Sequence, residues 1–170
     1  MRTRPLSNEY PEYYDRYVSL VPDGDIEEIL RRQRSETNAL LNSVSEESAV
    51  RAYAPGKWTL KEVIGHMSDT ERVMSYRMLA LARKESTPLH GMNQDLYVSS
   101  ANFNQLTWAQ LQVDLGMVRF ATLSLVSTID DVAWIRTGTV WDSSVSTRAF
   151  AYIIAGHELY HLKIICDRYL

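Results

Sequence analysis

A single cysteine, Cys166, leaves the chain without an internal disulfide and without a cysteine-built zinc site. That fits a reducing compartment and leaves histidine as the residue type for a metal site. Histidine is scarce as well, with four in 170 residues. There is no basic cluster and the formal net charge is −3, which excludes the electrostatic footprint of a nucleic-acid binder. No stretch approaches the roughly 18 apolar residues of a membrane span, and residues 1–16 lack the apolar centre of a signal peptide. The expectation is therefore a cytoplasmic protein with neither a membrane nor a nucleic-acid partner. Repeats, low-complexity segments and linkers are absent too, so residues 1–170 read as one domain with a full core.

Four helical patterns are present. Residues 1–22 hold Tyr10, Tyr13, Tyr14 and Tyr17 among three prolines, an arm whose rings lie on the domain or on a second subunit. Asp23 or Asp25 caps a first helix over about 25–44, where Ile26, Ile29, Leu30, Leu40, Leu41 and Val44 recur at helical spacing. Residues 45–58 connect, with a helical turn at Glu46–Val50. Thr59 and Glu62 form a capping box for a second helix running to about Arg83, with Leu60, Ile64, Met67, Met74, Met78 and Leu81 on its buried stripe. Residues 84–106 form a long crossover that is able to cover a site. Thr107 and Gln110 make another capping box for a third helix, and residues 130–146 are a short hairpin or an irregular loop. A fourth helix starts near Thr147, giving an all-α four-helix bundle.

The fourth helix carries His157-Glu158-Leu159-Tyr160-His161. Residues four apart share a helical face, so the two imidazoles point the same way and fit one metal ion. Phe150, Ile153, Ile154, Ile164 and Arg168 lie on the same stripe, which turns the pair inward. Buried imidazoles need partners for their nitrogens, and a metal supplies one for each; two core histidines bonded to other side chains are the alternative. Only nine residues follow His161, and Cys166 points about 140° away from it, so the third ligand lies upstream. His90 sits in a loop with Pro88 and Gly91, whereas His66 lies on the flank of the second helix. His66 is the expected ligand.

Several polar residues interrupt apolar stripes. Gln33 and Thr37 do so on the first helix and Arg119 on the third, either lining a polar pocket or bonding to neighbouring helices. Glu71 falls at the centre of the second helix's stripe, where an ion pair with Arg119 is one outcome and a role beside the metal another. Asp69 is a second carboxylate near His66, the alternative being a solvated surface position. Glu158 is placed to accept a proton, or else faces solvent.

Gly56-Lys57-Trp58-Thr59-Leu60-Lys61-Glu62 leading to His66, Asp69 and Glu71, with Tyr152-Ile153-Ile154-Ala155-Gly156-His157-Glu158 and His161, resembles the DinB-like or YfiT-like metal-binding four-helix bundles. Asn8-Glu9-Tyr10 to Leu20-Val21-Pro22 and Pro88-Leu89-His90-Gly91 to Asp95 extend the likeness over nearly the whole chain, while Thr137–Ser144 matches no pattern. The resemblance implies metal ligands at His66, His157 and His161, zinc or nickel as the ion, and a homodimer. Relatives include thiol S-transferases that use bacillithiol or mycothiol, proteins called metal-dependent hydrolases, and many without known activity. Three histidines leave an exchangeable position on the ion, which lowers the pKa of a bound thiol or a bound water. Thiol activation makes an S-transferase acting on a small-molecule substrate, with Arg119, Gln33 and Thr37 beside the thiol cosubstrate. Water activation makes a hydrolase, and a metal that only staples the bundle makes a non-enzymatic binding protein.

Overall fold

Each long helix of the computed structural model, which describes residues 2–170, begins at a polar cap present in its sequence. The N-terminal arm makes two 3-10 turns, Ser7–Glu9 and Glu12–Tyr14, and ends in the single turn α1 (Asp15–Val18). Asp25 accepts the Glu27 backbone N–H at 3.0 Å and opens α2 (Ile26–Asn42); the turn α3 (Glu46–Ala49) follows. The Thr59–Glu62 capping box opens α4 (Leu60–Ala82). Between Asn93, whose side chain accepts the Leu96 N–H, and Asn102 in the left-handed region runs α5 (Gln94–Ala101). The Thr107–Gln110 box opens α6 (Trp108–Ser127), and the turn α7 (Asp131–Trp134) comes next. Strands β1 (Thr137–Val140) and β2 (Ser143–Ser146) pair antiparallel, and Ser146 caps α8 (Thr147–Arg168).

The four long helices α2, α4, α6 and α8 make a bundle in which α4 packs on both α6 and α8, and α2 packs on the same two. Helices consecutive in sequence, α2 with α4 and α6 with α8, therefore face each other across the diagonals. Two apolar clusters show the directions. One gathers Leu30, Met74, Leu123 and Ile154; the other gathers Leu41, Met67, Leu115 and Ile165. Going up in residue number, α2 and α8 run from the first cluster to the second, while α4 and α6 run from the second to the first. Neighbours α4 and α6 are thus parallel, so their connection must return along the length of the bundle. This is why residues 84–106 are long, and why α5 and the turn Phe103–Gln105 pack against α4. The crossover contains a helix where the sequence reading had only a connection, and Asn93 with Asn102 are its local signals.

The arm lies on its own chain. Tyr10 and Tyr17 are buried, and α1 packs on α8 where Gly156 allows the Tyr17 backbone to touch the helix. The hairpin reaches across to the crossover: Leu89 donates to Thr139 O at 3.1 Å and Trp141 donates to Leu89 O at 2.9 Å. No helix among the described residues is long and apolar enough to cross a membrane.

A methyl group on Gly156 would overlap the Tyr17 carbonyl, whereas one on Gly116 meets nothing within 4 Å. Gly156→Ala is expected to lower unfolding free energy by about 1–3 kcal/mol. Gly116→Ala, a helix-interior glycine facing open space, is expected to raise it by roughly 0.5–1 kcal/mol. Urea titrations followed by circular dichroism check both, and a Gly156→Ala variant as stable as its parent would contradict the close approach.

Candidate metal centre and its cleft

His157 and His161 stand one turn apart on α8, and His66 faces them from α4. The His157 Nε2 lies 3.2 Å from His66 Nε2 and 3.1 Å from His161 Nε2. All three side chains are buried. A neutral imidazole Nε2 either donates one hydrogen or accepts one, so His157 satisfies only one of these two neighbours. A shared cation satisfies all three at once. Tetrahedral coordination at about 2.0–2.1 Å would space the nitrogens about 3.3 Å apart, close to the observed contacts. The donor set therefore fits a divalent ion.

Burial keeps these rings neutral. It pushes His66 down to about 4, against which the Asp95 charge acts weakly, and His161 down to about 3 with help from His66. His157 is held well below the ordinary imidazole value by burial and by both neighbours. Aromatic rings enclose the trio: Trp58 lies 4.9 Å from His66, Tyr17 5.3 Å from His157 and Tyr160 5.4 Å from His161, between ring centroids.

A cleft of about 330 Å³ opens onto His66 and His157. The arm lines it with Tyr13, Tyr14 and Tyr17, the hairpin with Trp141, and the crossover with Met92 and Gln94. From α4 come His66, Thr70, Met74 and Arg77, whose spacing of four, four and three draws a line along one helical face. The sequence reading missed Arg77 and Trp141. The first had a signal, a charge in line with Met74 and Leu81; the second had none, because its position depends on a hairpin closing over Gly91.

The other expected site residues lie elsewhere. Gln33 donates to Ala155 O at 2.9 Å, and Thr37 donates to Glu158. Arg119 donates to both oxygens of Glu71, at 2.8 and 2.9 Å, and also to Glu158. These side chains form a buried polar knot behind the histidines; none of them lines the cleft, and Thr37, Arg119 and Glu158 instead line a separate groove of about 520 Å³ between α2 and α6. Burial pulls the Arg119 pKa down, but the two carboxylates outweigh it and the net shift is upward. Glu71 is in the ion pair with Arg119, one of its two expected fates. Asp69 is half-buried and bonded to Arg72 at 3.3 Å, away from the cleft; burial raises its pKa, with Arg72 acting the other way. His90 and Cys166 are exposed.

The sequence profile of the DinB superfamily matches residues 29–165. The chain belongs to that superfamily. No curated protein sequence matches it. Among solved structures it is similar to YfiT from Bacillus subtilis, described as a probable metal-dependent hydrolase with an unusual four-helix bundle topology. The two are 14% identical with a TM-score of 0.70, over 98% of this chain and 91% of that one, a likeness of fold. In this chain the diagonal placing of α2 against α4 and of α6 against α8 brings the second and fourth long helices into contact, and with them the three histidines.

The depressed imidazole pKa values set a pH dependence. Below about 6.5 the unfolded chain takes up protons that the folded, metal-free cluster refuses until about pH 4 at His66 and about 3 at His161. This contribution to stability is full above pH 6.5 and is lost as pH falls through that window. The slope reaches about 1.4 kcal/mol per pH unit for each histidine. Urea midpoints of metal-free protein between pH 7 and 4.5 are expected to fall more steeply for the parent than for His161→Gln. Equal slopes would count against the buried neutral state.

Proposed function

We propose that the chain is a metal-dependent enzyme in which His66, His157 and His161 hold one zinc or nickel ion and a low-molecular-weight thiol is the activated cosubstrate. The observation that carries the reading is three converging Nε2 atoms at the end of a cleft large enough for a small molecule. Bound there, the ion supplies a Lewis acid that lowers the pKa of a coordinated thiol or water. The polar knot carries two carboxylates and one guanidinium, a net negative charge next to His157 that favours a cation. Tyr17 and Trp58 cover the rings and keep bulk water from them.

The choice of thiol over water rests on the carboxylates. Glu158 is tied to Arg119 and Thr37, and Asp69 to Arg72, so neither faces the cleft as a free proton acceptor. A thiol, with an ordinary pKa near 8.5, ionises beside a metal with less help than water needs. Metal-dependent hydrolysis is the second reading, favoured by the fold shared with YfiT.

Metal analysis of protein purified without chelator or nickel resin is expected to give one divalent ion per chain, with most of it lost in His157→Ala. Stoichiometric metal in the triple His→Ala variant would defeat the assignment. Metal-loaded protein is then expected to conjugate monochlorobimane or 1-chloro-2,4-dinitrobenzene with bacillithiol, mycothiol, glutathione or cysteine. Metal-dependent ester cleavage without conjugation would replace transfer by hydrolysis, and silence in both assays would leave a metal-stapled binding protein.

We also propose a homodimer. With the arm tyrosines packed on their own chain, the apolar surface a second copy would cover is the stripe of Val113, Met117 and Phe120 on α6, each more than half exposed. Light scattering is expected to show a dimer that Met117→Glu dissociates; a monomeric parent at micromolar concentration removes the proposal.

A further inference from the structure

Arg77 is 3% exposed, yet no carboxylate oxygen lies within 4.0 Å of its guanidinium among the described residues. Its Nη2 donates to the His90 carbonyl at 2.6 Å, and its Nη1 meets Met74 Sδ at 3.5 Å. Tyr14 is near enough for the guanidinium to hold its hydroxyl pKa down, against the larger upward push of burial. A guanidinium has five N–H donors and does not lose its proton in proteins. The His90 carbonyl, the Met74 thioether and the Tyr14 hydroxyl, with which the guanidinium also hydrogen-bonds, are all neutral groups and leave its charge unmatched. Buried cations are ordinarily paired, as Arg119 is with Glu71 and Glu158 a few turns away.

The place of this unmatched charge is informative. Arg77 lines the same cleft as His66 and on the same face of α4, eleven residues further along, or about 16 Å of helix axis. Between the two ends the cleft walls are mainly apolar and aromatic: Met74, Tyr14, Tyr17 and Trp141. We propose that the cleft takes an elongated substrate whose carboxylate pairs with Arg77. Its apolar body lies against Tyr14, Tyr17 and Trp141, and its reacting end faces His66 and His157. This rests on the reading of the histidine cleft as a substrate site and names the class of substrate for it. Arg119, the cation expected from the sequence beside the cosubstrate, is already neutralised by protein carboxylates, so Arg77 takes that part.

The test is calorimetric binding of phenylacetate, 3-phenylpropionate and 4-phenylbutyrate, each against its uncharged amide, to metal-free and zinc-loaded protein. At least one carboxylate is expected to bind metal-free parent protein about tenfold or more tighter than its amide, as a charge-assisted pair requires. Arg77→Gln is expected to bind acid and amide alike. Arg77→Lys keeps the charge without the planar fork and is expected to weaken the preference several-fold while leaving amide affinity unchanged. Equal affinity for acid and amide in the parent, binding of neither at millimolar concentration, or a preference unaltered by either substitution would overturn the proposal. Because the metal-free protein decides, the outcome is independent of metal loading. A chain that binds no metal but prefers carboxylates keeps this inference and loses the metal reading, and one that binds metal but ignores the carboxylate does the reverse.

Discussion

Thr37 of α2, Glu71 of α4, Arg119 of α6 and Glu158 of α8 meet in one buried polar knot, with one side chain from each long helix. Arg119 also reaches the Leu30 carbonyl of α2 at 3.3 Å. The knot lies between the two apolar clusters and sets the register of the bundle, because sliding α4, α6 or α8 would leave a buried charge unpaired and sliding α2 would strip Glu158 of the Thr37 hydroxyl. Breaking such a pair from one side costs about 3–5 kcal/mol, whereas apolar contacts alone tolerate a slip more cheaply. Glu158 is the residue that joins this constraint to the chemistry. With its carboxylate held by Arg119 and Thr37, the neighbouring His157 and the turn-related His161 point at His66.

The cleft forms where the bundle's four-sided symmetry fails. Parallel neighbours α4 and α6 oblige the chain to travel back along the bundle, which lays α5 and the Gly91–Gln94 segment beside α4. The hairpin is needed at the other end, and Trp141 takes φ +56 there, a conformation that a bulky side chain adopts at a cost. Its ring packs so closely on Gly91 that a side chain at that position would meet it at 2.9 Å. The arm adds Tyr13, Tyr14 and Tyr17. The cleft is therefore built from connections and walls held on a rigid helical pair, a common arrangement for binding sites. Its two ends differ in kind: neutral, buried imidazoles at one and, at the other, a guanidinium with no carboxylate partner among the described residues.

The helices and their starting points were legible in the sequence because capping is a local interaction: Asp25, Thr59 with Glu62, and Thr107 with Gln110 act within four residues of themselves. The inward turn of His157 and His161 was legible for the same reason, since helical geometry relates residues four apart without reference to the rest of the fold. The helix in the crossover was hidden by Gly and Pro nearby, although Asn93 and Asn102 bound it. The polar residues Gln33, Thr37 and Arg119 interrupt apolar stripes in the sequence. Periodicity could not say whether they met a ligand or one another.

The sequence by itself determined four helices, their caps, the all-α class and an inward-facing pair of histidines, because each follows from interactions between residues close along the chain. Only the tertiary structure decided that α2 stands diagonal to α4 and α6 to α8, that Glu158 is bound to Arg119 instead of facing the cleft, and that Arg77 is buried without a counterion among the described residues. Those outcomes depend on which helix faces which. That choice is made by a few contacts between residues distant in sequence, and no local pattern carries it.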